Sequence, residues 1–147
     1  MPGIPTATVH RLAEAQNWRC CWCGFRMLPR YPGQDDVVAL IGTDGKAWHR
    51  KRLVEMRTVT AEHVVPRCDG GTDASANLVA ACRFCNEFRS NHSVEVATQR
   101  IGRMLRRETH PFQAWNRNRT FIGNSRMPSI EKPPRRPAAA DLPEIRL

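Results

Sequence analysis

Apolar and polar positions alternate with several different periods along the chain, and each period predicts an element. Val9, Leu12, Ala13 and Gln16 fall on one face of a short helix from about Thr8 to Gln16, with Thr6 or Thr8 available to cap it. Met27 to Gly33 holds two prolines and reads as a loop. The run Val37-Val38-Ala39-Leu40-Ile41, followed by Gly42-Thr43-Asp44-Gly45, predicts a strand and a turn. Leu53 to Thr60, with Val54, Met56 and Val59, then predicts the returning strand of a hairpin. Asn77 to Ala81 is a further short strand, and a helix is expected from the cysteines that follow it. After a break at Ser90 to Ser93, a second helix runs to about Arg107 with Val94, Ala97, Ile101, Met104 and Leu105 on one face and Ser93 as its N-cap.

Beyond Thr109 the periodicity stops and prolines gather, at Pro111, Pro128, Pro133, Pro134, Pro137 and Pro143. That composition predicts a tail that is mostly extended or disordered. The patterned part is about a hundred residues, a size at which burial alone gives a marginal core. A structural metal would help such a domain.

The cysteines supply a candidate. Of six, Cys20-x-x-Cys23 and Cys82-x-x-Cys85 make two knuckles separated by residues 24–81. Two such knuckles deliver four thiolates to zinc with little strain. A redox pair is the competing use, but it expects a βαβ setting that the pattern lacks. Cys21 is an alternative to Cys20 with a tighter loop, and Cys68 sits in a loop rich in turn formers as a bystander.

Charge narrows the partners. With 23 Lys and Arg against 14 Asp and Glu, the chain of 147 residues carries a net charge of +9, which favours a polyanion such as nucleic acid. No apolar run is long enough to span a bilayer, and the N-terminus MPGIPTATVHRLAEAQ lacks the features of a secretory signal. A cytoplasmic location is expected, where thiols stay reduced.

Chemistry enters at Thr60-Ala61-Glu62-His63-Val64-Val65-Pro66, where a carboxylate and an imidazole adjoin in a strand-like run. These two residues read equally as a solvated strand end. Asn86, directly after Cys85, changes the balance, because a metal holding the knuckles would fix its position. A carboxylate and an amide oxygen suit Mg²⁺ or another hard divalent ion, and a neutral imidazole can take a proton from water. Neighbouring strand residues point to opposite faces, so cooperation requires the strand to end or bend between Glu62 and His63.

The segments CWCG and AEHVVPRCDGGTDASANLVAACRFCN together resemble the HNH endonuclease family in its four-cysteine zinc form. The likeness runs from Cys20 to about Asn91, and its dense part is EHVVP-x3-GGT-x4-NL-x3-C-x2-CN. It implies an α+β fold with a small ββα-metal core, a structural zinc held by four cysteines, and flanking helices. Under that resemblance residues 1–19 form an N-terminal helix, 20–108 a nuclease domain with a hairpin insert and a C-terminal helix, and 109–147 a Pro- and Arg-rich tail. His63 matches the general base, and Glu62 the acidic metal ligand. Asn86 matches a second metal ligand, and Asn77 the central Asn that braces the loop and orients the base. Cys20, Cys23, Cys82 and Cys85 match the zinc ligands. The implied activity is Mg²⁺-dependent hydrolysis of DNA to 5′-phosphate and 3′-hydroxyl ends, by nicking or double-strand cleavage, with RNA left open as a substrate. A zinc-bound nucleic-acid module without catalysis is the alternative. Phage, mobile-element, restriction and repair enzymes share this core, and a homodimer on duplex DNA is left open.

Contacts to DNA are expected from Arg89, one turn after Asn86, and from Arg100 and Arg103, which with Arg106 and Arg107 lie off the apolar face of the second helix. The run His49-Arg50-Lys51-Arg52 in the insert and the tail arginines are further candidates. Phe112, Trp115 and Phe121 either join those contacts or pack back onto the domain.

Overall fold

The computed structural model describes residues 3–120, with side chains described as far as Arg117. The chain runs α1 (Thr6–Ala15), α2 (Gln34–Leu40), α3 (Ala47–Arg57), β1 (Val59–His63), β2 (Leu78–Cys82), α4 (Arg83–Arg89), α5 (Val94–Arg106) and α6 (Pro111–Thr120). The strands β1 and β2 form an antiparallel pair with Val59 opposite Cys82 and His63 opposite Leu78. Both α1 and α4 pack against this pair, so the fold is α+β as expected.

Helix α1 buries Val9 and Ala13, as its period requires. Its cap is Pro5 rather than either threonine, and no side chain closes it. Gln16, just beyond the helix, has a larger task. Its amide accepts from Ala80 N at 2.8 Å and donates to Ala80 O at 2.9 Å. A primary amide thereby mimics a third strand on the outer edge of β2, where Cys21 N also donates to Ala80 O at 3.1 Å.

The expected hairpin between residues 37 and 60 is not there. Val37 to Ile41 lies in and just after α2, and residues 47–57 form α3, so only the last part of the supposed return is strand. An apolar run of five fits either period, and local capping decides it. The carboxylate of Asp36 accepts from Gly33 N at 3.1 Å, and Asp35 joins it in a first turn that favours negative charge. Val37, Leu40 and buried Ile41 then share a helical face. In α3, Leu53 and Arg57 at i, i+4 are the buried positions. Arg57 lies inside the protein because its guanidinium donates to Arg26 O at 2.6 Å and Leu40 O at 3.1 Å, and covers the Phe112 ring at 4.9 Å.

Helices α4 and α5 and the break between them fall where expected, and Ser93 Oγ accepts from Val96 N at 3.3 Å. Residues 109–120, expected as part of an unstructured tail, instead include α6. Phe112 and Trp115 are buried, so of the two readings for these aromatics packing back is the one realised; Phe121 lies outside the described residues. Trp115 Nε1 donates to Ile41 O at 3.2 Å. Its ring fits against Gly45, where a Cβ would stand 2.7 Å from Trp115 Cη2. Two aromatics cannot announce a helix by periodicity; the partner of Trp115, 74 residues upstream, helps decide the outcome.

Candidate active site

Four buried thiols form the first cluster. The Sγ atoms of Cys20, Cys23, Cys82 and Cys85 all lie within 4.8 Å of one another, and Cys23 and Cys82 are 4.0 Å apart. A tetrahedral Zn–S distance of about 2.3 Å places sulfurs about 3.8 Å apart, so these cysteines fit a zinc site. Cys20 rather than Cys21 joins the group, and Cys68 is exposed elsewhere. Burial pushes the Cys82 thiol well up, and the hydrogen bond with Cys20 pushes Cys85 up, so four thiolates need a cation to coexist.

His110 completes this region and has no counterpart among the residues expected at the site. It is wholly buried among Phe25, Phe84 and Phe112. Its Nδ1 accepts from Phe112 N at 3.3 Å, which leaves the proton on Nε2, 3.6 Å from Cys85 Sγ. Burial lowers its pKa to about 4, so the ring is a neutral N–H donor to sulfur.

The cysteine cluster fixes the start of α4, because Cys82 caps that helix through a sulfur contact from Cys85 N. Asn86 is therefore placed at a set distance from β1. Its Nδ2 donates to Thr60 Oγ1 at 2.9 Å and Ala61 O at 3.1 Å. With the amide nitrogen so engaged, Oδ1 is the atom left to bind anything else. Glu62, His63, Pro66, Arg67, Asn86, Arg89, Ser90 and Asn91 line one cleft. The strand neither ends nor bends before His63, which pairs with Leu78 in regular register. The two side chains reach one cleft because it sits at the end of β1, where both faces are within reach.

Glu62 is 4% exposed and Arg89 2% exposed. Arg89 donates to Glu62 Oε1 and His63 O, and also to Val64 O at 2.9 Å and His92 O at 3.1 Å. Expected at a DNA phosphate, Arg89 is instead enclosed, and its planar donor set ties α4 to the end of β1. It lies over the Trp22 ring at 5.5 Å. Burial pushes the Glu62 carboxyl above its ordinary pKa, against the pull of Arg89. Its Oε2 and Trp22 Nε1 are both buried without a hydrogen bond of ordinary length among the described residues, and the Trp22 side chain stands close enough to favour the ionised carboxyl. An orphaned carboxylate oxygen costs about 1–3 kcal/mol or more. A hard divalent cation would meet it, with Asn86 Oδ1 as a second oxygen donor. The donor types of Glu62 and Asn86 suit such an ion.

Asn77 braces the loop after β1. Its Oδ1 accepts from Val65 N at 2.8 Å, and its Nδ2 donates to Val65 O at 3.1 Å and Thr72 O at 2.9 Å. Gly71 lies so close to this loop that a Cβ would stand 1.8 Å from Val65 O. His63 Nε2 meets Asp73 Oδ1 at 2.7 Å, and Arg67 donates to both Asp73 oxygens. The hydrogen bond from His63, then Arg67, holds the Asp73 carboxyl below its ordinary pKa. Neither Asp73 nor Arg67 stands out in the sequence, because each reads as an ordinary loop residue. Arg100 and Arg103 are exposed on α5, with Arg100 Nη1 2.8 Å from His92 Nε2.

A two-stranded antiparallel sheet followed by a helix, buttressed by a four-cysteine cluster and gathering Glu, His and Asn at one cleft, defines a ββα-metal type of site. Residues 51–101 match the family model described as HNH endonuclease, the family that the sequence resembles. The match starts within α3 and ends in α5, so Cys20 and Cys23 complete the zinc cluster from outside it. No curated protein and no solved structure matched the chain. HNH nuclease domains act on nucleic acid, and no helix among the described residues is long and apolar enough to cross a membrane.

Proposed function

We propose that the protein is a metal-dependent DNA endonuclease or nickase that hydrolyses phosphodiester bonds to 5′-phosphate and 3′-hydroxyl ends. The observation that carries this reading is the single cleft lined by Glu62, His63 and Asn86, in which the buried Glu62 carboxyl has one oxygen held by Arg89. Glu62 and Asn86 would hold Mg²⁺ or a similar ion, which supplies charge stabilisation at the scissile phosphate and the leaving 3′ oxygen. His63 takes a proton from water, and the resulting hydroxide attacks phosphorus in line with that oxygen. Asn77 holds the loop that carries the backbone of Val64 and Val65 past His63, which limits the motion of the base. Arg89 orients Glu62 by engaging one oxygen only. Arg100 and Arg103, exposed on α5, supply phosphate contacts without sequence preference.

Plasmid nicking with Mg²⁺ or Mn²⁺, with the ends mapped, tests this reading. His63→Ala should abolish cleavage while zinc content stays intact, and full activity in that variant would remove His63 as the base. One observation favours the second reading, a zinc-bound nucleic-acid module without catalysis: Arg89 already neutralises Glu62. A salt-dependent gel shift with no cleavage under any of several divalent ions would select it.

A further inference from the structure

The loop between β1 and β2 brings a second carboxylate to His63. Asn77 closes that loop at Val65 and Thr72, and the next residue after Thr72 is Asp73. Asp73 Oδ1 lies 2.7 Å from His63 Nε2. Arg67 fixes the carboxylate, with Nη2 at 2.8 Å from Oδ1 and 2.9 Å from Oδ2, and Nε at 3.1 Å from Oδ1. Arg67 Nε also directs its N–H at His63 Nε2 from 3.3 Å, a contact that would need the opposite tautomer and is the longer of the two. An ionised carboxylate only accepts, so the shorter, 2.7 Å contact favours the imidazole proton on Nε2 over the tautomer that would accept from Arg67. Nδ1 then carries the lone pair, and it has no hydrogen-bond partner among the described residues.

We propose that Asp73 is the positioning residue for His63: it fixes the Nε2–H tautomer and ring orientation so that Nδ1 accepts the proton of the attacking water, while Arg67 holds Asp73 in place. The inference rests on His63 being the base. In the step itself, the water O–H bond breaks and its proton moves to Nδ1. The hydroxide oxygen bonds to phosphorus as the bond from phosphorus to the 3′ oxygen breaks, and the departing oxygen takes a proton from solvent. The imidazolium so formed faces the Asp73 carboxylate through Nε2–H, which stabilises the charge as it appears. This is the arrangement of nucleophile activator and orienting acid that recurs wherever a histidine must present one chosen nitrogen. Asp73 is about half exposed, and a lone exposed pair would hold the ring weakly. The bidentate Arg67 clamp and the closed loop supply the rigidity that exposure would remove.

The experiment uses zinc-loaded full-length protein. Asp73→Ala should lower kcat about 10- to 100-fold on plasmid DNA with KM within about twofold, a loss smaller than removing a general base outright, which typically costs about 10²- to 10⁴-fold. Asp73→Asn, which keeps an acceptor oxygen, should recover part of the loss. ¹⁵N–¹H correlation spectra of the His63 ring should show the Nε2–H tautomer in the wild type and a mixture with Nδ1–H in Asp73→Ala. Unchanged zinc content and thermal midpoint establish that the variant is folded; Arg67→Ala, which leaves the carboxylate but removes its clamp, should lose less activity than Asp73→Ala. A fully active Asp73→Ala, or one that stays wholly Nε2–H, overturns the proposal. If wild-type protein cleaves nothing, the nuclease reading fails, and the spectra still report whether Asp73 sets the tautomer.

Discussion

Replacing Arg89 with Met removes a guanidinium whose side chain is 1% exposed, from a Glu62 side chain that is 4% exposed. Methionine fills much of the same volume, so the perturbation is mainly electrostatic. Breaking a buried pair from one side costs about 3–5 kcal/mol, because the surviving charge stays buried without a partner. Glu62 has an escape: burial has already pushed its pKa up, and protonation in the variant caps the penalty. His63 O, Val64 O and His92 O also lose a donor, though His63 and Val64 lie near the cleft, where water can replace it. We therefore expect about 3 kcal/mol of destabilisation near neutral pH, read as a lower midpoint in urea at unchanged slope with zinc present. Glu62→Gln should reduce the damage when combined with Arg89→Met, giving a coupling of about 2 kcal/mol. The sign with pH follows from the carboxyl. In Arg89→Met the folded-state pKa of Glu62 stands above its unfolded value, so the folded protein binds more protons. The deficit relative to wild type should then shrink as pH falls and grow as it rises. A loss below about 1 kcal/mol, or strictly additive single and double variants, would refute the claim that this pair joins α4 to β1.

Elemental analysis should find about one zinc per chain, and a strong chelator or Cys85→Ser should unfold the protein, seen as loss of helical circular dichroism; retention of the fold without zinc would contradict the structural role. Arg100→Glu with Arg103→Glu should weaken binding to any DNA sequence about equally and reduce the salt slope by roughly 0.9 for each phosphate that the pair no longer neutralises, with an unchanged slope placing DNA elsewhere. His110 predicts an acid effect: its folded pKa of about 4 lies below the ordinary value, so the unfolded chain takes up the extra proton. Stability should fall by about 1.4 kcal/mol per pH unit from roughly pH 6.5 down to roughly pH 4, and His110→Phe should remove that component of the slope.

What was legible in the sequence was set by local signals. The knuckles, the Ser93 cap and the apolar faces of α1 and α5 each depend on residues within a turn or two, and the structure realises them. The dense motif holds Glu62, His63 and Asn86, which line one cleft, and Asn77, which closes the loop beside it, and each spacing is a length of strand, loop or helix. The insert misled because Val37 to Ile41 satisfies both periods, and the arbiter was one carboxylate, Asp36, reaching back to Gly33. The remaining surprises share a cause of another kind. Arg57, Arg89 and His110 are polar side chains that sequence reasoning puts in water, yet each is buried, and each has a partner in an element distant along the chain. Arg89 finds Glu62 across 27 positions, and Trp115 finds Ile41 across 74. Asp73 is hidden in a subtler way, since only the loop closure by Asn77 brings a turn-forming aspartate back to the imidazole ten residues before it. A single sequence therefore reveals the groups that chemistry requires more readily than the groups that hold them. The latter are fixed by burial and by loop closure, which no local spacing records.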